Sequence, residues 1–274
     1  MRIETRVVRM ADGQELWVDA VGADGYPLLV HAGSPGSRRL YAPSVAEAHE
    51  HGFRLISYDR PGLGDSPAKP GRLVSEGAAQ TRAVAEAFGI DRMAMWGFSG
   101  GGPYTLACAA LAPDLVAAAC VFASPSPFIR MGDDYVRADF TAETEEMLRM
   151  FGTPDAWLAR WGDRAGTDDS HGRQMAEYLA LVTQDGVGKG DQGWWDDYNA
   201  IHRPWGFDMA DIRCPVQLWY GELDRNCPPA HGRWLADHIP GVEVHCFPDE
   251  DHSTIEPDHR GEAYGWLAER LQLG

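Results

Sequence analysis

Three residues in the sequence have the types and the order needed for nucleophilic catalysis by a serine. Ser99 lies in the stretch Gly97–Gly101, GFSGG, a G-x-S-x-G pattern between an apolar run and a run of small residues. In this pattern a sharp turn lifts the serine hydroxyl above a sheet, and the flanking glycines prevent steric clashes. A hydroxyl is a weak nucleophile without a base, and the base needs an acid to orient it. The pattern therefore requires an acid and a histidine at later strand ends.

Asp224 and His252 meet this requirement. Asp224 follows the strand-like run PVQLWYG, and His252 follows the next such run, VEVHCF. One helix and one strand fit between them, so both loops should open at the carboxyl edge of a parallel sheet, where ligands bind. We predict Ser99 as nucleophile, His252 as base and Asp224 as the orienting acid. Four other side chains are less suitable. The acids Glu222 and Asp249 lie too close to the ends of their strands. His245 lies inside a strand, and His259 starts the last predicted helix.

The turn His31–Ser37, HAGSPGS, follows a strand and is rich in glycine. Glycine leaves backbone amides exposed, and such amides can stabilise the oxyanion formed during acyl transfer. We assign one donor to the amide of Ser34 and the other to the amide of Gly100, with Gly33 as the neighbour to which the first assignment could shift. A plain strand-to-helix connection is the structural alternative for this turn. His31 is expected to pack beneath the site.

The elements that must position these residues alternate between strand-like and helical patterns. Fully apolar strands are typical of a parallel sheet covered on both faces. Such runs are QELWVDAV, PLLVHAG, FRLISYD, RMAMWGF, VAAACVFA, CPVQLWYG and VEVHCF. Helical patterns occupy 41–51, 75–89, 100–112, 230–238 and 259–272. The alternation stops after Ser126 and resumes near 211. We therefore predict an α/β core of residues 1–125 and 211–274 that carries a mostly helical insertion, the cap, of residues 126–210.

The predicted cap is rich in acidic and aromatic residues. Residues 131–210 contain 16 acidic and 7 basic residues, a net charge of −9. Three acidic pairs are expected to be solvated surface: Asp133-Asp134, Asp168-Asp169 and Asp196-Asp197. The aromatic residues are expected to form mainly the core of the cap and partly a lid over an apolar pocket. They are Trp157, Trp161, Trp194, Trp195, Trp205, Tyr135, Tyr178, Tyr198, Phe140, Phe151 and Phe207.

Composition limits the classes of function. The net charge of −17 repels phosphate backbones and anionic lipids, so neither nucleic acid nor a membrane is an expected partner. The sequence has no signal-peptide pattern and no apolar run of about 18 residues, which predicts a soluble cytoplasmic protein. Five cysteines without C-x-x-C spacing predict no disulfide framework, and no metal or cofactor is predicted. The expected partner is a small-molecule substrate, and whether the chain forms a homodimer is left open.

The chain resembles the α/β-hydrolase superfamily. The resemblance rests on five motifs in order: HAGSPGS, YDRPGLGDS at Tyr58–Ser66, GFSGG, GELD and DEDHST. It implies a mostly parallel eight-stranded sheet with helices on both faces and a helical cap insertion. Two positions depart from the family pattern. Asp251 precedes His252 where glycine is often found, and Ala32 stands in a turn that is commonly H-G-x-P.

The resemblance leaves a choice among several reactions. Epoxide hydrolases and haloalkane dehalogenases of this fold carry a carboxylate at the elbow, so Ser99 argues against both. Proline iminopeptidases typically carry G-G-S-W-G and H-G-G-P-G, and neither is present. We predict a serine hydrolase that cleaves a small-molecule carboxylic ester through an acyl-enzyme. The alternatives are a proline-iminopeptidase-like enzyme, a carbon–carbon bond hydrolase, and a ligand sensor on a hydrolase fold.

Overall fold

The computed structural model describes residues 2–22, 24–127, 149, 152–161, 170–187, 189–190 and 192–273. Within these residues the strands are β1 (Ile3–Arg9), β2 (Glu15–Val21), β3 (Tyr26–His31), β4 (Phe53–Tyr58), β5 (Met93–Phe98), β6 (Val116–Phe122), β7 (Val216–Gly221) and β8 (Glu243–Phe247). They form one sheet in the order β1-β2-β4-β3-β5-β6-β7-β8. β2 is antiparallel to β1 and β4, and all other neighbours are parallel.

Helices cover both faces of the sheet. In the described part of the chain they are α1 (Ala42–Glu50), α2 (Glu76–Ala87), α3 (Gly102–Leu111), α4 (Pro154–Trp161), α5 (Ser170–Val187), α6 (Gln192–Ile201), α7 (Pro229–His238) and α8 (Ile255–Leu271). Short 3-10 helices span Ser99–Gly101 and Met209–Asp211. Helices α1 and α8 pack on one face, and α2, α3 and α7 pack on the other. Helices α4 to α6 follow β6 in the chain and precede β7.

Successive residues of the central strands are buried on opposite faces, which is why these strands are continuously apolar. Leu28 packs with α1 and α8, whereas Leu29 packs with α2, α3 and α7, and both side chains are fully buried. Burial of one leucine side chain contributes roughly 1.5–3 kcal/mol. The predicted α/β fold, with a mostly parallel sheet covered on both faces, is confirmed.

Two elements differ from the sequence prediction. Strand β1 was not assigned, because its residues apart from Val8 are exposed or mixed in character and give no apolar run. The last helix begins at Ile255 rather than at 259, so His259 lies inside it and does not start it. Pro257 lies in the first turn of this helix, where proline is tolerated.

The division into core and cap stays a prediction. Several aromatic and acidic residues assigned to the cap lie outside the described residues: Tyr135, Phe140, Phe151, Asp133, Asp134, Asp168 and Asp169. Trp205 is buried, and with Ile201 of α6 it joins the core cluster formed with α2, α3 and α7.

The five cysteines are all free thiols. In the ranges that the structure describes, no helix is both long and apolar enough to cross a membrane.

Candidate active site

Ser99 lies in a tight turn between β5 and α3. Its φ of 49° falls in the left-handed region, an uncommon conformation for a residue with a side chain. A β-carbon at Gly97 would lie 2.6 Å from Oγ1 of Thr105, and one at Gly101 would overlap the carbonyl oxygen of His31. Both glycines are therefore required for the chain to pass through this turn, which places Ser99 at the carboxyl edge of the sheet.

The structure brings Ser99, His252 and Asp224 together from three separate loops. Oδ1 of Asp224 accepts hydrogen bonds from the amides of Asn226 and Cys227, both at 2.8 Å. Oδ2 lies 2.8 Å from Nδ1 of His252, and Nε2 of His252 lies 3.0 Å from Oγ of Ser99. A carboxylate can only accept, so Nδ1 carries the imidazole proton and Nε2 is free to accept from the serine hydroxyl. The arrangement can remove the proton of Ser99.

The loop that carries His252 is fixed by its own side chains. Oδ1 of Asp251 accepts from the amide of Ser253 at 2.9 Å and from its hydroxyl at 2.6 Å. The ring of Phe98 lies 5.1 Å from the ring of His252. Asp251, the residue that departs from the family pattern, thus holds the turn in which the histidine stands.

The rival side chains have other partners. Glu222 binds Arg233 at 2.9 Å, and Asp249 is exposed. His245 stacks on Trp219 with ring centroids 3.9 Å apart, and Nε2 of His259 lies 3.6 Å from Glu250. None of these contacts involves Ser99, so the geometry favours the predicted residues over their rivals.

The HAGSPGS turn lies directly beside the nucleophile. A β-carbon built on Gly100 would be 3.1 Å from the amide nitrogen of Ser34, and one built on Gly33 would be 3.4 Å from Cβ of Ser99. The absence of side chains at both glycines lets the two backbones approach. The structure therefore brings Gly33, Ser34 and Gly100 together around Ser99, while their role as oxyanion donors stays a prediction.

Comparison with known proteins identifies the family of the chain. The family model for the alpha/beta hydrolase fold matches residues 26–258, which include the three side chains described above. The chain belongs to this family.

Relatives of this α/β hydrolase include enzymes that act on esters. It is 28% identical to a pimeloyl-[acyl-carrier protein] methyl ester esterase of Chromobacterium violaceum over 246 residues. The aligned region covers 83% of this chain and 87% of that esterase. It is 24% identical to serine hydrolase BPHL of Mus musculus over 253 residues, and this aligned region covers 88% of this chain and 78% of the mouse protein. A solved alpha/beta hydrolase fold protein from Nakamurella multipartita matches with a TM-score of 0.76 and 25% identity, over 98% of this chain and 99% of that one.

A buried carboxylate of α6 binds the HAGSPGS turn of this α/β hydrolase. Oδ2 of Asp197 accepts from the hydroxyl of Ser34 at 2.6 Å and from Nη2 of Arg60 at 2.7 Å. Oδ1 accepts from Nη2 of Arg72 at 2.9 Å and from the hydroxyl of Tyr104 at 2.8 Å. Asp197, Arg60 and Arg72 are all almost completely buried.

The sequence prediction for the pair Asp196-Asp197 was wrong. It assigned both residues to solvated surface, whereas Asp197 is fully buried and Asp196 is 6% exposed. Burial opposes the ionisation of Asp197, but the charges of Arg60 and Arg72 outweigh it and hold the pKa of this carboxyl below its usual value. Arg60 lies inside the YDRPGLGDS motif, but nothing in the sequence shows that this arginine is buried and needs an acidic partner.

Close backbone contacts join α5 and α6 to the same region. A β-carbon at Gly186 of α5 would overlap the carbonyl oxygen of Pro35, and one at Gly193 of α6 would overlap that of Gly62. Nearby, Nε of Arg39 lies 2.8 Å from Oδ2 of Asp185 on α5. The two helices are thus seated against the turns that follow β3 and β4.

Two further buried residues lie in the segments that carry the site of this α/β hydrolase. Cys227 is buried, its amide donates to Oδ1 of Asp224, and burial raises the pKa of its thiol well above the usual value. His31 is buried, with Nδ1 2.9 Å from Oγ1 of Thr105 and Nε2 3.3 Å from the hydroxyl of Tyr58. Burial lowers the pKa of His31 to about 3, so this ring is neutral.

Among the described residues, no group of three or more His, Cys, Asp or Glu side chains could hold a metal ion.

Proposed function

We propose that this α/β hydrolase cleaves carboxylic esters of small molecules, with Ser99 as the nucleophile. The observation that carries the proposal is the continuous hydrogen-bonded series from Asp224 through His252 to Ser99, at 2.8 and 3.0 Å, at the strained turn after β5. The ester linkage is supported by the Chromobacterium violaceum relative, a methyl ester esterase, and the use of a serine is supported by the mouse serine hydrolase.

The proposed reaction has two halves. His252 takes the proton of Ser99 through Nε2 while Oγ attacks the ester carbonyl carbon, and Asp224 stabilises the imidazolium that forms. The amides of Ser34 and Gly100 donate to the oxyanion. The carbon–oxygen bond to the alcohol breaks, and the alcohol leaves with the proton from His252. A water molecule deprotonated by His252 then attacks the acyl-enzyme, which releases the acid and restores Ser99. No cofactor takes part in these steps.

A fluorophosphonate probe tests the proposal, because only an activated serine attacks phosphorus quickly. We expect stoichiometric labelling of the wild-type protein and of the control Ser44→Ala, whose hydroxyl bonds Tyr264 away from the site. Labelling should be lost in Ser99→Ala. Labelling that survives Ser99→Ala would contradict the assignment of the nucleophile.

A panel of p-nitrophenyl esters, the matching anilides and a vinylogous diketone tests the reaction class. We expect turnover of the esters, and its loss in Ser99→Ala. Preference for the diketone would instead assign carbon–carbon bond cleavage, and preference for amides would assign a peptidase-like activity. Labelling without turnover of any member would favour the ligand sensor.

A further inference from the structure

Arg60 is buried beside the turn that is proposed to stabilise the oxyanion. It lies two residues after the end of β4, and β4 is the neighbour of β3, from which the HAGSPGS turn leaves the sheet. The side chain is 1% exposed, and its guanidinium carbon lies 4.9 Å from the ring centre of Tyr104 on α3. A planar guanidinium packed in this way holds its N–H groups in fixed directions.

The guanidinium donates to two successive carbonyl oxygens of this turn. Nη1 lies 2.6 Å from the carbonyl oxygen of Ala32, and Nη2 lies 3.4 Å from that of Gly33. The amide of Gly36 also donates to the Gly33 oxygen, at 2.6 Å. The peptide bond from Gly33 to Ser34 is trans, so the amide N–H of Ser34 points in the direction opposite to the Gly33 carbonyl. Arg60 thus fixes the direction of this N–H through the carbonyl of the same peptide group.

The peptide group so oriented lies against the nucleophile. A β-carbon built on Gly33 would lie 3.4 Å from Cβ of Ser99, and one built on Gly100 would lie 3.1 Å from the amide nitrogen of Ser34. An amide stabilises an oxyanion only while its N–H points at the place where the charge develops. The direction of the Ser34 amide therefore matters as much as its distance from Ser99.

Arg60 also holds Ser34 through Asp197. Nε and Nη2 of Arg60 donate to Oδ1 and Oδ2 of Asp197 at 3.0 and 2.7 Å, a two-point contact that fixes the carboxylate. The hydroxyl of Ser34 donates to the same Oδ2 at 2.6 Å. The peptide group between Gly33 and Ser34 is therefore held directly at its carbonyl and, through the carboxylate, at the side chain that follows.

We propose that Arg60 is a positioning residue for the reaction, because it fixes the direction in which the amide of Ser34 donates to the oxyanion. The inference rests on the proposed ester hydrolysis and adds to it a residue that acts through the turn. The oxyanion is absent from the bound ester and forms only as Ser99 attacks. Loss of Arg60 should therefore lower kcat and leave KM almost unchanged.

Arg60→Met and Arg72→Met form a matched pair of variants. Arg72 is equally buried, and its Nη2 donates to Oδ1 of Asp197 at 2.9 Å and to the carbonyl oxygen of Gly193 on α6 at 3.2 Å. Because two arginines share one carboxylate, either change leaves one arginine opposite Asp197 and no unpaired charge in this group. Both variants are therefore expected to fold, with similar losses of stability. Arg60→Lys is a further variant, which keeps the charge but presents a single nitrogen in place of the planar fork.

The test measures kcat and KM for p-nitrophenyl butyrate. We expect kcat to fall about 10- to 100-fold in Arg60→Met and in Arg60→Lys, with KM within about twofold of the wild type. In Arg72→Met kcat should fall no more than about threefold, because Asp197 keeps its two-point contact with Arg60. Equal kcat values in the two Met variants, a kcat restored by Lys, or a loss that appears mainly in KM would each overturn the inference.

The inhibitor 1,1,1-trifluoro-2-hexanone separates this inference from the proposed function. Oγ of Ser99 adds to the ketone carbon, the hydroxyl proton passes to His252, and the π electrons of the carbonyl move to its oxygen, which becomes an oxyanion. This adduct needs the nucleophile and the amide donors but no ester cleavage. We expect its dissociation constant, measured by fluorine NMR titration, to rise about 10- to 100-fold in Arg60→Met and no more than about threefold in Arg72→Met.

The two outcomes can be told apart. The expected pattern of dissociation constants in a protein that hydrolyses no ester would overturn ester hydrolysis and uphold the role of Arg60. Ester hydrolysis by the wild type, with an equal dissociation constant in Arg60→Met, would uphold ester hydrolysis and overturn the role of Arg60. A wild type that neither forms the adduct nor hydrolyses an ester would overturn both.

Discussion

The hydroxyl of Ser34 lies 2.6 Å from Oδ2 of Asp197, although 163 residues separate them in the chain. Asp197 is held in turn by Arg60 and Arg72. The turn proposed to stabilise the oxyanion is therefore bonded to a helix of the predicted cap. We assign Asp197 as a positioning residue that acts on the reaction through Ser34.

Replacing Asp197 by Asn should destabilise the protein strongly. The change leaves Arg60 and Arg72 buried without a counter-charge, a loss on the order of 3–5 kcal/mol in the free energy of unfolding. The neighbouring Asp196→Asn is the control, because Oδ1 of Asp196 accepts from Gln192 and an amide oxygen retains that bond. We expect it to stay within about 1 kcal/mol of the wild type in urea unfolding. Equal stability of the two variants would contradict the role of the buried ion pairs.

Ser34→Ala should lower kcat and leave KM almost unchanged. The backbone amide of residue 34 remains, but the hydrogen bond from the Ser34 hydroxyl to Asp197, which holds this amide in place, is lost. We expect kcat to fall about three- to tenfold. Ser37→Ala, in the same turn, is the control. Combined with Asp197→Asn, the Ser34 change should have a much smaller effect, because the two residues act through one contact. Additive effects in this double-mutant cycle would refute the coupling.

Gly101→Ala should cost about 2–3 kcal/mol of stability, because the new methyl group meets the carbonyl oxygen of His31, part of the rigid backbone at the end of β3. Gly265→Ala provides the opposite case. Gly265 lies inside α8, and a β-carbon there would have its nearest contact at 4.0 Å, with His51, so we expect a gain of about 0.5–1 kcal/mol. Thermal and urea unfolding measure both. A Gly101→Ala protein as stable as Gly265→Ala would show that the turn can relax.

The stability of the protein should fall as the pH falls from about 6.5 to about 4. Burial lowers the pKa of His31 to about 3 and that of His231 to about 4, whereas an unfolded chain titrates near 6.5. In this range the unfolded state binds protons that the folded state does not, so each ring contributes a loss of about 1.4 kcal/mol per pH unit. His231→Asn should reduce the slope by about that amount, and His238→Asn should not. Urea unfolding at pH 7, 6 and 5 measures these slopes, and identical slopes in both variants would contradict the assignment.

Anionic esters should be poorer substrates than neutral or cationic ones. Residues 131–210 carry a net charge of −9, which lowers the local concentration of anions and slows their association. Arg39 pairs with Asp185, and Arg60 and Arg72 pair with Asp197, so arginines outside this segment offset part of its charge. The measurement is kcat/KM for the ethyl, choline and glycolate esters of butyric acid at low and high salt. The differences should shrink with salt, since the Debye length falls to about 8 Å near physiological ionic strength. A glycolate ester that is best at low salt would show that a local arginine, such as Arg203, binds the substrate.

The sequence was sufficient to predict where Ser99, Asp224 and His252 meet. Each follows an apolar strand of one parallel sheet, and the carboxyl ends of such strands share an edge whatever the intervening residues are. The same pattern also predicted the position of the HAGSPGS turn. These assignments depend on local signals and on the regular geometry of the sheet.

The burial of Asp197 could not be predicted in this way, because its environment is made by side chains distant in sequence. An acidic pair in an acidic segment is usually solvated, and only the approach of Arg60 and Arg72 reverses that expectation. The contacts of His202 and His231 pose the same difficulty. Nδ1 of His202 lies 2.8 Å from the carbonyl oxygen of Tyr198, and Nδ1 of His231 lies 2.9 Å from the amide nitrogen of Ser126. Neither contact leaves a periodic pattern in the sequence.

The close approach of Gly186 to Pro35 and of Gly193 to Gly62 has a consequence for protein engineering. A helical segment grafted from another hydrolase would need small residues at both points of contact and an acid opposite Arg60 and Arg72. Without them it would separate from the turn beside Ser99 or leave two arginines without a counter-charge. Redesign of substrate range should therefore keep α5 and α6 in place.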